Sequence, residues 1–269
     1  MSILTDPADC GPVTLSLCQD VQAEAYDYPS SLFIPKVWKI RRQVCDQNEL
    51  ETVIKKIKSS KKPLLIAGGG VKYSGAENEL KQLVELTGVP FAVTQAGKSC
   101  LDETNSQFVG SIGVTGSTSA NQLAMESDLV ISVGSRLQDF TTGSNTLITS
   151  SMISINIQNH DVIKHNSITL LGDAKVSLDL IVNKIGHFCI SENYKNDIQK
   201  LKSLWDEEVN KVTVKSDKNS LPSDSQVIGA INRNVPKETI VIGAAGSMPG
   251  ELHKPVSYTH LRAHETHEN

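Results

Sequence analysis

The sequence predicts an α/β protein: a central doubly wound, parallel-sheet (Rossmann-like) domain flanked by partial α/β domains. Three observations carry this expectation. Short runs that are almost wholly apolar recur through the middle of the chain, as at 63–67 (PLLIA) and 128–133 (DLVISV). Stretches with apolar residues at helical spacing alternate with them. Two of the runs end directly in glycine, at Gly68 and Gly134. A strand apolar on both faces needs cover on both faces, and strands alternating with helices give a parallel sheet with helices above and below.

Taken in order, residues 13–17 (VTLSL) are strand-like and follow Gly11-Pro12, and 23–35 read as a linker containing Tyr, Ser and Pro. Residues 47–59 place Leu50, Val53, Ile54 and Ile57 on one helical face and lysines on the other. Residues 63–67 form a strand that runs into Gly68-Gly69-Gly70. Residues 74–87 predict a second amphipathic helix, with Leu80, Leu83, Val84 and Leu86 inward and Gly88 as its C-cap. A strand at 89–93, a helix at 121–127, strands at 128–133 and 152–157, a short apolar run at 168–171 and a helix at 173–185 continue the alternation. Residues 191–223 are charged and polar, with one helix at 194–209 and a Lys/Asp/Ser stretch at 215–223. The pattern restarts with a helix at 224–235 and a strand at 239–243 (TIVIG) leading into Ala244-Ala245-Gly246-Ser247.

Composition bounds the function. A chain of 269 residues holds one large or two small domains, and 39% hydrophobic residues suffice for a sizeable core. A net charge of −4 offers no basic excess for a nucleic-acid backbone or an anionic membrane. No apolar run approaches the ~18 residues of a membrane span. The amino end carries Asp6 and Asp9 and lacks a basic-then-apolar signal, so a cytoplasmic setting is expected. The five cysteines (Cys10, Cys18, Cys45, Cys100 and Cys189) are odd in number and include no CxxC pair. They read as buried or half-buried free thiols, not as a disulfide framework or zinc site.

Few residues announce chemistry. Gly68-Gly69-Gly70 stands between a strand and a helix, where an open α/β sheet binds phosphates through backbone N–H groups. The spacing is neither GxGxxG nor a P-loop, and a tight turn that needs glycine for packing accounts for it more simply. Arg136, after Gly134-Ser135, could fork a phosphate or carboxylate, or pair on the surface with an acid such as Asp139. Gly246-Ser247 could wrap a diphosphate. The histidines His260, His264 and His267 do not form an HExxH motif, because Leu261 follows His260; they read as a polar tail. No Ser-His-Asp or Cys-His arrangement emerges from the spacings.

Together these segments resemble the thiamine-diphosphate-dependent enzyme superfamily, which includes acetolactate synthase. Residues 63–70, 79–90, Gly97-Lys98, 110–120, 128–136 and Gly172-Asp173-Ala174 match its central domain in order and spacing. Residues 11–21 (GPVTLSLCQDV) resemble the closing strand of its pyrimidine-binding domain, and 224–251 the opening of its diphosphate-binding domain. Residues 4–29 and 241–254 are similar to the branch of trihydroxycyclohexane-1,2-dione hydrolases of inositol catabolism.

The resemblance implies the following domains. Residues 1–34 are the end of a pyrimidine-binding domain plus linker, and 35–190 the central domain. Residues 191–223 are a linker, 224–254 the start of a diphosphate-binding domain, and 255–269 a non-native tail without family counterpart. It implies thiamine diphosphate and Mg²⁺ as cofactors, a small cyclic diketone as substrate, and a homo-oligomer when intact. Thiamine diphosphate acts as the electron sink for C–C cleavage, with water releasing a ring-opened acid. Gly246, Ser247 and Met248 fall on the turn that approaches the diphosphate. The family's activating glutamate and its GDG…N metal motif have no counterpart here, so no catalytic residue or metal ligand is named and the chain is expected to be an inactive fragment. Some relatives bind FAD in the central domain; Gly68–Gly70 and Arg136 would be the place for it, but this branch is not expected to need a flavin. The alternatives are an acetolactate-synthase-like carboligase or decarboxylase fragment, and a nucleotide-binding module on the central domain.

Overall fold

A computed structural model describes residues 1–215, 220–236 and 239. The chain divides into two compact units, Met1–Gln43 and Val44–Asn269.

The first unit holds one short helix, α1 (Gln19–Gln22), and a 3-10 turn at Ser30–Phe33. None of its residues is buried. Its aromatic contacts are local, with the Tyr28 ring packed edge-on to Tyr26 and Phe33 at centroid distances of 5.4 and 6.5 Å and Lys36 4.3 Å over the Trp38 ring, while Arg41 pairs with Asp6 at 3.8 Å. Residues 13–17, expected as a strand, form none. A strand exists only through a ladder of hydrogen bonds, and no described segment pairs with this one.

The second unit is built on a six-stranded sheet in the order β3-β2-β1-β4-β5-β6. Its strands are β1 (Pro63–Ala67), β2 (Phe91–Val93), β3 (Phe108–Ser111), β4 (Leu129–Val133), β5 (Ser151–Asn156) and β6 (Ile168–Leu171). Every pairing is parallel. The doubly wound parallel sheet expected from the sequence is therefore present. Every residue of β1, β2, β3 and β4 is buried, which requires helices on both faces.

Helix α2 (Gln47–Ser59) starts at Asp46, whose carboxylate accepts from Asn48 N (2.8 Å) and Glu49 N (3.2 Å). It packs with α8 (Ala174–Ile185), itself started by Asp173. The expected helix at 74–87 is α4 (Glu77–Thr87), which starts three residues later; a separate helix, α3 (Gly69–Ser74), precedes it and ends where the chain turns left-handed at Gly75. Both also pack on α8. A second group contains α5 (Thr118–Glu126) and α9 (Glu192–Val212), which pack on each other. Short helices α6 (Asp139–Thr142) and α7 (Asn159–Val162) follow β4 and β5. The last helix, α10 (Asp224–Asn234), begins with a reciprocal Ser223–Gln226 capping box. Arg233 Nη1 ties it to Thr213 O at 2.7 Å.

Two further differences from the sequence reading have physical causes. Strand β3 lies outside every expected element: it is only four residues long, carries Gly110 at φ 103°, and pairs with β2 in broken register. The connection from β2 to β3 at residues 94–107 contains no helix. Instead α9, which the sequence places within a polar linker, reaches it: Lys202 Nζ donates to Asn105 O at 3.2 Å, and Tyr194 and Ile198 enter the core. Both sheet edges are blocked by side chains. On β3, the Ser117 and Ser119 hydroxyls donate to Val109 O, at 3.0 and 2.7 Å. On β6, Glu49 accepts from Leu171 N (3.0 Å) and the Thr169 hydroxyl (2.6 Å). An edge so occupied cannot recruit another strand.

Candidate functional site

In an open parallel sheet, ligands bind beyond the carboxyl ends of the strands where the order reverses. Here that point lies between β1 and β4, and the two sequence candidates meet there. Gly68 N donates to Val133 O (2.8 Å) and Gly70 N to Gly134 O (2.9 Å). A Cβ on Gly70 would lie 2.6 Å from Gly134 Cα, and one on Gly68 would strike the Gly134 carbonyl. Gly134 itself sits at φ 61°, a region that side chains disfavour. The glycines thus let two backbones touch, and the Gly68 and Gly70 N–H groups are spent on β4. They are not presented to an anion. The tight-turn reading of Gly68-Gly69-Gly70 accounts for the geometry.

Beyond Gly134 the chain is held by a polar relay. Asn156 Nδ2 donates to Ser135 O at 3.0 Å, Leu137 N donates to Ser135 Oγ at 3.1 Å, and Gln158 N donates to Asn156 Oδ1 at 3.0 Å. His165 Nε2 lies 3.1 Å from Leu137 O, and so is the donor there. Lys164 Nζ reaches Asp161 at 2.6 Å and Arg136 O at 3.4 Å. Arg136 is exposed and makes no ion pair among the described residues, so the expected pairing with Asp139 is not formed. Its guanidinium faces solvent and is not clamped in a site.

Backbone strain concentrates in the connections between strands. All six described non-glycine residues with positive φ lie in such connections: Ser99 between β2 and β3, Leu137, Ser144 and Asn145 between β4 and β5, and His165 and Asn166 between β5 and β6. Leu137, at φ 47° and buried, is the least expected of them. The loop after β3 is held by an amide clamp: Asn121 Oδ1 accepts from Gly113 N (3.0 Å) and its Nδ2 donates to Gly113 O (2.9 Å).

One feature of the carboxyl edge escaped the sequence reading. After β2, Gly97 packs so closely on Ala67 O that any Cβ would collide with it. The next residue, Lys98, and Glu103 are both buried, at 5% and 4% exposure, with Nζ and Oε1 3.5 Å apart. Burial pushes the Glu103 carboxyl above the usual carboxylate range, and Lys98 only partly opposes it. Nearby Cys100 is pushed up to about 12 by burial. Gly97-Lys98 was visible as part of the family pattern, but nothing in the spacing marked Glu103 as its partner.

The remaining candidates are quickly placed. Gly246, Ser247 and Met248 lie outside the described residues, as do His260, His264 and His267. The five cysteines are free; Cys45 and Cys100 are buried, whereas Cys10, Cys18 and Cys189 are exposed, contrary to the expectation of buried or half-buried thiols. Among the described residues no three His, Cys, Asp or Glu side chains come together as a cation site, and no helix is long and apolar enough to cross a membrane. The Gly68 and Gly70 N–H groups are taken by backbone acceptors and are not offered to a diphosphate.

Comparison with known proteins places this geometry. Residues 50–181 match the family model of the thiamine pyrophosphate enzyme central domain. The chain is 38% identical over 280 residues to a 3D-(3,5/4)-trihydroxycyclohexane-1,2-dione hydrolase of Clostridium tetani (strain Massachusetts / E88), covering 94% of this chain and 44% of that protein. It is 35% identical over 277 residues to the protein of that name from Geobacillus thermodenitrificans (strain NG80-2), covering 94% and 43%. A Bacillus anthracis (strain CDC 684 / NRRL 3495) protein of that name is 36% identical, with coverage of 94% and 44%. The chain thus spans less than half the length of these curated relatives. Residues 50–181 thus match the central domain of the thiamine pyrophosphate enzymes, and the likeness to the three hydrolases runs through 94% of the chain.

Proposed function

We propose that this chain is the middle part of a thiamine-diphosphate-dependent hydrolase that opens the ring of trihydroxycyclohexane-1,2-dione. The observation that carries the reading is the extent of the likeness. Identity of 35–38% to proteins of that name runs through 94% of the chain, well beyond the 50–181 domain common to the wider family. In this reading the second unit is a scaffold. Its backbone-packed β1–β4 junction and side-chain-capped edges suit a self-contained spacer domain. Thiamine diphosphate, when bound, supplies the electron sink for C–C cleavage. The proposed holders in this chain are Gly246, Ser247 and Met248. Mg²⁺ and the activating carboxylate would come from polypeptide outside it, in a cytoplasmic homo-oligomer acting on a small cyclic diketone.

The test is ring opening by a full-length protein carrying these residues, assayed with the diketone, thiamine diphosphate and Mg²⁺. Release of a ring-opened acid supports the reading. Turnover of pyruvate instead, with carbon dioxide or a carboligation product, assigns the chain to the acetolactate-synthase-like alternative. A second assay addresses the central domain: calorimetry of this chain with FAD, NAD and ADP is expected to show no binding, because the Gly68 and Gly70 N–H groups already have acceptors.

A further inference from the structure

The buried Lys98–Glu103 pair has no part in the proposed chemistry, and its surroundings make it unusual. Lys98 and Glu103 lie on the helix-free connection from β2 to β3, whose Gly97 end is pressed on the carboxyl end of β1. Beyond the 3.5 Å ion pair, neither Glu103 oxygen has a hydrogen-bond partner among the described residues. A carboxylate has about four lone-pair sites, and leaving most of them unmatched in a buried place is costly. Protonation removes that cost. The segment carries a left-handed residue, Ser99 at φ 66°, and is anchored from outside by two lysines: Lys72 Nζ on Lys98 O (3.0 Å) and Lys202 Nζ on Asn105 O (3.2 Å).

We propose that residues 94–107 form a proton-held latch over the carboxyl ends of β1 and β2: the closed segment is the form in which Glu103 carries a proton, and loss of that proton loosens the segment. The direction follows from linkage. Burial raises the Glu103 carboxyl in the closed form above its ordinary 4.5, while in the opened form it returns toward that value. Closure therefore takes up a proton. The contribution is full below the open-form value and is lost as pH rises through the closed-form value. Other ionisable groups face the segment: Asp102 and Cys100 within it, Lys72 and Glu77 from α3 and α4, and Lys202 with Asp206 from α9. Only Glu103 is both buried and short of hydrogen bonds among them.

The test is site-resolved hydrogen exchange on the full chain, with protection factors corrected for intrinsic rate, between about pH 5 and 8. In the wild type, protection across 94–107 falls by up to about tenfold per pH unit while β4 and α8 stay flat. Glu103→Gln, which keeps the shape of the protonated acid, holds protection high throughout. Lys98→Met removes the one compensating charge, so protection falls further at high pH than in the wild type. A wild-type profile without pH dependence overturns the proposal, as does an unchanged slope in Glu103→Gln. If the Gln variant does not fold, Lys98→Met decides alone: a smaller fall than in the wild type also overturns it. None of these readouts depends on enzymatic turnover, so the latch and the proposed reaction stand or fall separately.

Discussion

Residues 1–43 and the sheet unit use the same apolar alphabet to opposite effect. Leu15 is 81% exposed and Phe33 71%, whereas Leu64, Leu65 and Ile66 are wholly buried. The difference is not hydrophobicity but complement. The β1 residues have β2 and β4 on either side in register, and helices on both faces. In the first unit no residue is buried, and its ring contacts hide part of a ring without enclosing it. Burial is a property of an arrangement, and about 25 cal/mol per Å² is gained only where two surfaces meet.

That contrast yields measurements ordered by expected size. The largest effect belongs to the β1–β4 junction. Gly134→Ala adds a Cβ against the Gly70 backbone at a positive φ, and should cost upward of about 3 kcal/mol in chemical denaturation. If it is tolerated with little loss, the close packing there is not essential. Next is Leu65→Ala in the sheet, which should cost about 2–5 kcal/mol by the same measurement. Its counterpart Leu15→Ala in the first unit should change stability by under about 0.5 kcal/mol; a larger loss would mean that Leu15 is covered. Between these lies Asp46→Ala, removing the α2 N-cap, at about 1 kcal/mol.

The smallest effect is a pH dependence. Partial burial alone would raise Asp128, but the Ser60 hydroxyl and the Lys61 and Lys62 N–H groups outweigh it and hold the carboxyl below its ordinary 3.8. A depressed carboxyl contributes stability that is present above 3.8 and lost as pH falls through the folded value. The melting temperature of Asp128→Asn should therefore differ from that of the wild type at neutral pH and converge with it in strong acid. Parallel curves across the whole range would remove Asp128 from the account.

The legible part of the fold is the part governed by local periodicity. Residues 47–59 gave a helix whose buried positions Leu50, Val53, Ile54 and Ile57 are those the spacing assigned to the inner face. Strands β1 and β4 were visible because a run of five residues can be apolar or nearly so, as β4 is with only Ser132 polar, where both faces are covered. Strand β3 was not, since four residues with a central glycine carry no period. Helix α9 was half read: its spacing was plain, but that Tyr194 and Ile198 would close the sheet depends on a partner over 80 residues away. At the candidate site, glycines at 68–70 and 134 signalled a turn near a ligand edge. Whether their N–H groups faced an anion or another strand could not be settled by spacing, because both uses demand the same absence of Cβ.

Sequence alone determined the alternation of elements, the parallel sheet and, through the order of matched segments, the family likeness of the central domain. These rest on patterns repeated within a few residues, or on resemblance. Tertiary structure decided the rest. It spent the glycine N–H groups on β4, left Arg136 in solvent, and folded Lys98 and Glu103 into the interior together. Each of those outcomes joins groups brought together by the crossing of the chain, and no local propensity encodes which distant backbone or charge will stand opposite.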